Sequence, residues 1–226
     1  MRSFAQLTSS DPAWPVVIDW VGASPHPVEM LPANPERAEA CLVSLQVTDA
    51  SVLGALVMNT GGVLIDHGWL RLLGSGNGAM IAIDEANGRS KGGPTPGPLL
   101  VGHDVIGGRF VINDGSLPGE PAEMVFWSPH ELDWTPLEAG HSSFVHMACT
   151  ERLGVFYGGT RWPGWESDIS KVDGSHAISL YPPLFTVEGR DPAAASKSIV
   201  LWDELTRFHD EAARQLGSKG FDPPTS

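Results

Sequence analysis

Positive charge, cysteine and long apolar runs are what this 226-residue chain is short of. Lysine and arginine number 14 against 27 aspartates and glutamates, a formal net charge of −13 at pH 7. That balance repels nucleic-acid phosphates and anionic lipid headgroups, so neither is an expected partner, whereas a basic protein is a natural one. The same charge also serves solubility alone. The two cysteines, Cys41 and Cys149, stand far apart without a C-x-x-C neighbour. They fit buried thiols in a reducing compartment better than a disulfide framework. No apolar run approaches the roughly 18 residues of a membrane span. The opening segment MRSFAQLTSSDPAW has no apolar stretch after its arginine, so no secretory signal is visible and the cytoplasm is the expected compartment.

Chemistry-bearing patterns are scarce too. Nucleophilic catalysis needs a nucleophile beside a base, metal binding needs a ligand cluster, and phosphate binding needs a glycine-rich cradle with its lysine. The stretch Asn59 to Asn113 instead alternates short apolar segments with glycine doublets. GSGNG at Gly74 to Gly78 lacks the lysine and Ser/Thr of a P-loop and reads as a surface loop. His141, His146 and Cys149 have no evident fourth ligand, so neither a metal nor a cofactor is expected.

What is present is enough apolar residue for one core, 42% of the chain with 18% charged. Asp11-Pro12 supplies a cap and an early proline, and Trp14, Val17, Ile18 and Val21 then recur at helical spacing up to Gly22. The proline-rich SPHPVEMLP reads as a rigid loop. Asn34-Pro35 starts a second helix with Ala38, Cys41, Leu42 and Leu45 on its stripe. From Leu53 the pattern turns to β-type runs: GALVMN, GVLIDH, WLRLLG, PLLVGHDV, GRFVIN and EMVFW. Gly74 to Pro98 reads as a long surface loop with an apolar island at Met80 to Ile83. A helix is expected from Ser142 or Ser143 through Phe144 and Met147 towards Leu153 and Phe156. Another is expected from Trp202 to Leu216, with Leu205, Phe208 and Ala212 on one face. Helices at both ends of a run of strands, without βαβ alternation, predict an α+β fold with a mixed or antiparallel central sheet. The expected organisation is one domain over residues 1–216 and a disordered tail over 217–226.

Three clusters are candidate sites. Asp66-His67-Gly68-Trp69 pairs an acid with a base, but neighbours on a strand face opposite ways, and Asp with Gly also marks a structural turn. His103-Asp104 before Gly107-Gly108 places a second carboxylate at a strand end, where the same residues also start a hairpin turn. Arg161-Trp162-Pro163-Gly164-Trp165, after Phe156 and Tyr157, has the composition of a recognition surface and equally of an aromatic core with Arg161 stacked on a ring.

Taken together, DPAWPVVIDW, NTGGVLIDHGWLRLLGSG, HDVIGGRFVIND, EMVFWSPHELDWTPLEAGHSSFVH and FYGGTRWPGW resemble domain-of-unknown-function family 2625, a family of uncharacterised bacterial proteins. The resemblance runs from about Asp11 to Leu216. The middle, with Gly61-Gly62, Asp104 before Gly107-Gly108, Val111-Ile112 and Ser143-Phe144, also looks like the SUKH superfamily. That likeness implies a single α+β domain that binds protein partners, in many bacterial members as an immunity protein against a toxin, and it brings no catalytic residues. The expected function is thus a non-enzymatic cytoplasmic protein-binding module of immunity or regulatory type. Its expected partner contacts are Asp66, His67, Trp69, Asp104, Arg161, Trp162 and Trp165, and self-association into a homo-oligomer is open. The alternative is a small-molecule-binding protein or hydrolase with Asp66, His67 and Asp104 around a cleft.

Overall fold

The computed structural model describes residues 1–89 and 97–217. The expected tail from Ser218 onward and part of the Gly74 to Pro98 loop lie outside these residues. In chain order the elements are α1 (Phe4–Leu7), α2 (Trp14–Gly22), β1 (Val28–Pro32), α3 (Pro35–Leu45), α4 (Val52–Asn59), β2 (Thr60–Ile65) and β3 (Leu70–Leu73). Then come α5 (Ile83–Ala86), β4 (Leu99–Asp104), β5 (Arg109–Ile112), β6 (Glu123–Ser128), β7 (Asp133–Gly140), α6 (His141–Ala148) and α7 (Arg152–Phe156). The chain finishes with α8 (Trp165–Ile169), β8 (His176–Tyr181), a 3₁₀ turn at Glu188–Arg190, β9 (Ser196–Leu201) and α9 (Trp202–Leu216).

Local signals account for most of these. Asn34 accepts a hydrogen bond from the Arg37 N–H and Pro35 opens α3, as its cap and first turn require. Strands β1 to β7 form one antiparallel meander in sequence order, and β8 and β9 form a separate hairpin. The sheet is therefore antiparallel, within the α+β class that the sequence implies. Met80, Ala82 and Ile83 are buried while Ile81 is 44% exposed, so the apolar island of the glycine-rich segment turns three of its four side chains into the core, and Ile83 opens α5.

Several elements differ from expectation. GALVMN is not a strand but part of α4, capped by Ser51 through the Gly54 N–H. Six of its eight residues are buried, so it is apolar on every side and has no 3.6-residue period to read. The SPHPVEMLP loop contains β1, whose proline is tolerated because β1 is an edge strand. The helix expected after Ser143 is two, α6 and α7, with a turn between them. On α9 the buried residues are Leu205, Thr206, His209 and Ala213, and Phe208 is 47% exposed.

The sheet is covered on both faces. On one, Phe110 stacks on Phe126 of its neighbouring strand and Phe144 of α6, both at 4.7 Å between ring centroids. On the other, register places Arg71, His103, Arg109 and Trp127 side by side across β3 to β6. All four are buried, and the C-terminal unit closes over them. Arg71 donates to the carbonyls of Gly68, Val172 and His176. His103 stacks with Trp202 at 4.5 Å, and Arg109 lies 4.1 Å from the Trp127 ring and donates to Asp210 of α9 at 2.6 and 3.1 Å. This row of charge and aromatic faces docks β8, β9 and α9 onto the sheet. No helix among the described residues is long and apolar enough to cross a membrane.

Candidate functional site

The turn from β2 to β3 sets Asp66, His67 and Gly68 at positive φ (56, 61 and 86°). Asp and His enter that left-handed region more readily than most side chains, and the run is held by the bond from the Trp69 N–H to the Asp66 carbonyl and from the Asp66 N–H to the Pro27 carbonyl. The consequence is that the Asp66 carboxylate turns inward while His67 stays outside. Asp66 Oδ2 lies 2.6 Å from Nη2 of Arg161 and 3.5 Å from Nδ1 of His26. The arginine contact is charge against charge: its angle falls outside hydrogen-bond geometry although both atoms are buried. Arg161 is also walled by rings, its guanidinium carbon lying 4.3 Å from the Trp165 centroid, 5.1 Å from Trp69 and 5.5 Å from Tyr157. Trp69 is at the centre, 5.3 to 5.6 Å from Trp165, Tyr157 and Trp162.

Six of the seven expected partner contacts thus meet in one cluster with its neighbour Tyr157, but chiefly as core. Trp69 is fully buried, Trp162 is 3% exposed and donates its indole N–H to Asp168 at 2.9 Å, and Asp66 is 4% exposed. Cation and π-faces in a desolvated setting stabilise one another, which gives the Asp66–Arg161 pair an anchoring role. His67 and the flank of Trp165, whose rings meet edge to face at 5.7 Å, are the members that reach solvent.

Asp104 sits on the far side of Tyr157. Fully buried, it accepts N–H bonds from Ile106 and Gly108 on Oδ1 and the Tyr157 hydroxyl at 3.2 Å on Oδ2. Burial pushes its carboxyl up to about 6, with those donors pulling the other way. The Tyr157 hydroxyl is raised, first by burial and then by that carboxylate. Gly108 is obligatory here, because an added Cβ would stand 2.1 Å from Asp104 Oδ2.

Asp66, His67 and Asp104 do not share a cleft. His67 lines one groove, Asp104 forms part of the floor of another, and Asp66 lines neither. Among the described residues no group of three or more His, Cys, Asp or Glu is placed to hold a metal. His146 packs on Trp20 at 4.9 Å, and both cysteines are free and buried, their thiols pushed up by burial to about 12 and 11.

The His67 groove is the feature that the sequence reading missed. It has a volume of about 580 Å³ and lies between the β1–β2 edge of the sheet and residues 169–174. Leu31, Leu64, Ile169 and Val172 supply its apolar floor, with Glu29 and Asp173 exposed on its rim. Hydrogen bonds from His176 and Ser175 hold Asp173 down to about 2, so it is ionised at neutral pH. Lys171, the one lysine or arginine of the lining, offsets one of the two rim carboxylates and lies 3.7 Å from Asp168, so the lining keeps a net negative charge.

The family model for proteins of unknown function, DUF2625, matches residues 4–205. The uncharacterised Escherichia coli (strain K12) protein YbfG is 33% identical over 206 residues, covering 91% of this chain and 94% of that protein. An uncharacterised protein of Haemophilus influenzae (strain ATCC 51907 / DSM 11121 / KW20 / Rd) is 32% identical over 189 residues, 81% of this chain and 83% of its own length. No solved structure matches the chain, and these matches lend no support to the SUKH likeness of its middle. On the extent of the family match, the chain belongs to DUF2625, a family of unknown function.

Proposed function

We propose that the protein is a non-enzymatic binding module of regulatory or immunity type that takes a basic segment of a partner protein into the His67 groove. The observation that carries this reading is the groove itself: an apolar floor for side chains and an acidic rim of Glu29 and Asp173, on a molecule of net charge −13. Complementary charge steers encounter and fixes register, and apolar burial supplies the affinity. The buried Arg161 cage has a supporting role, fixing the turn that presents His67 and the flank of Trp165. The divergence of Asp66, His67 and Asp104 takes the geometric support from the hydrolase alternative.

The test is capture from lysate with two baits, the wild type and a Glu29→Lys, His67→Glu variant, both positions being exposed. A basic protein held by the wild type at low salt, released at high salt and lost from the variant is the expected result. The same proteins on both baits, or none on either, would overturn the assignment.

A further inference from the structure

At the other edge of the sheet, between β7 and the helices α6 and α7, lies a second groove of about 320 Å³. Leu137, Phe144, Met147, Val155 and Phe156 make it apolar. Val155 on α7 is 80% exposed, more than any other large hydrophobic residue of the described chain except Met1. A branched aliphatic side chain left in water beside an apolar cavity marks a surface that something covers.

The charge of the lining says what. Arg152 is its single charged residue. Arg152 has no carboxylate within reach among the described residues, which is also true of Arg2, Arg190 and Arg207, but none of those lines this groove. On a chain with almost twice as many acids as bases, an unpaired guanidinium beside an apolar cavity gives this groove a local positive charge that an anion can meet. Guanidinium binds carboxylate through two parallel N–H···O bonds, and Ser143, also in the lining, adds a hydroxyl. The volume is at the small end of ligand sites, which suits one unbranched acyl chain of medium length and no larger body.

We infer that this groove binds a medium-chain carboxylate, its chain laid along Leu137, Phe144, Met147, Val155 and Phe156 and its head group on Arg152. This site is separate from the His67 groove and stands whether or not a protein binds there.

Titration calorimetry of the whole chain with octanoate, decanoate and dodecanoate, each below its micellar concentration, tests it. One-to-one binding that tightens about fourfold per methylene is expected from burial of each CH₂. Decanol should bind at least tenfold more weakly than decanoate. Arg152→Gln should bring decanoate down to the decanol level and leave decanol unchanged, while Val155→Glu weakens both. Arg152 and Val155 are exposed, so both variants keep their fold, which circular dichroism verifies. The proposal fails if no chain length gives heat, if decanol or decyltrimethylammonium binds as tightly as decanoate, or if Arg152→Gln changes nothing. It also fails if sedimentation finds a dimer that Val155→Glu dissolves, since a second copy would then be the occupant.

Discussion

Removing the Asp210 carboxylate should cost more than any ordinary surface change, although Asp210 is on a helix facing partly outward. Its partner Arg109 has a side chain only 2% exposed, against 16% for Asp210. Breaking a buried pair leaves a desolvated charge behind, at a cost of about 3 to 5 kcal/mol. Because water reaches one side of Asp210 and the Trp127 face remains for the guanidinium, Asp210→Ala is expected at the lower end, about 3 kcal/mol. Replacing both partners, Arg109→Met with Asp210→Leu, removes the stranded charge and should return stability to within about 1 kcal/mol of the wild type. Urea unfolding followed by tryptophan fluorescence and circular dichroism measures both. With a slope of about 3 kcal/mol per molar, the single variant moves the midpoint by about 1 M. A single variant within about 0.5 kcal/mol of the wild type would refute the reasoning, since that is the range of an uninvolved surface site. So would a double variant no better than the single one, which would locate the loss in packing rather than in charge.

Stability should fall as pH drops from about 6.5, the ordinary histidine value. Burial, helped by Arg71 for His103 and by Arg109 for His209, holds both imidazoles down to about 3. His141 is likewise held down by burial, to about 4. The unfolded chain therefore gains three protons that the folded chain refuses, each worth about 1.4 kcal/mol per pH unit. Asp104 has the opposite sign, since its folded value of about 6 exceeds the ordinary 3.8 and the folded chain holds the extra proton in between. Between pH 6 and 4.5 the net slope is thus about 2.7 kcal/mol per unit, and Asp104→Asn should steepen it to about 4.1. Equal slopes in urea titrations at pH 4.5, 5 and 5.5 would contradict this. Gly54→Ala should destabilise by more than 2 kcal/mol on the scale of overpacked cores, roughly 1 to 3 kcal/mol, despite the roughly 1 kcal/mol that Ala gains in a helix. Its Cβ would stand 2.0 Å from the Thr48 carbonyl oxygen. A thermal melt at or above the wild-type temperature would refute that close approach.

The elements legible in the sequence were those with chemical punctuation. Asn34-Pro35 starts α3 and Gly217 ends α9 at positive φ, and in both the residue type is the mechanism. Glycine pairs and turns delimit β2 to β6. α4 was not legible because burial on all sides erases the period that distinguishes a helix from a strand. β8 and β9 were missed for another reason: they form a two-stranded layer over the sheet, and the alternation in HAISLY and SKSIVL is too weak to stand out without that layer. The tryptophan and arginine block was found, yet its role was not decidable, because a desolvated cation–π cluster and an interface hot spot draw on the same residues.

The polar row on the buried face goes further, because it inverts the usual reading of alternation. In WLRLLG and GRFVIN an arginine among apolar residues marks the solvent face under the alternation rule. Here Arg71 and Arg109 mark the face that residues 172–217 cover, and each is satisfied by groups far along the chain: the carbonyls of Val172 and His176 for one, Asp210 for the other. Pairing across β3, β4, β5 and β6 sets Arg71, His103, Arg109 and Trp127 in one line, so the C-terminal unit docks on charge and ring faces rather than on an aliphatic surface. Such a docking surface is strongly directional, since a shift by one residue would strand two guanidinium groups without acceptors. The position of residues 169–174, and with it one wall of the His67 groove, therefore depends on Arg71 holding Val172, and not on the cluster around Arg161 alone.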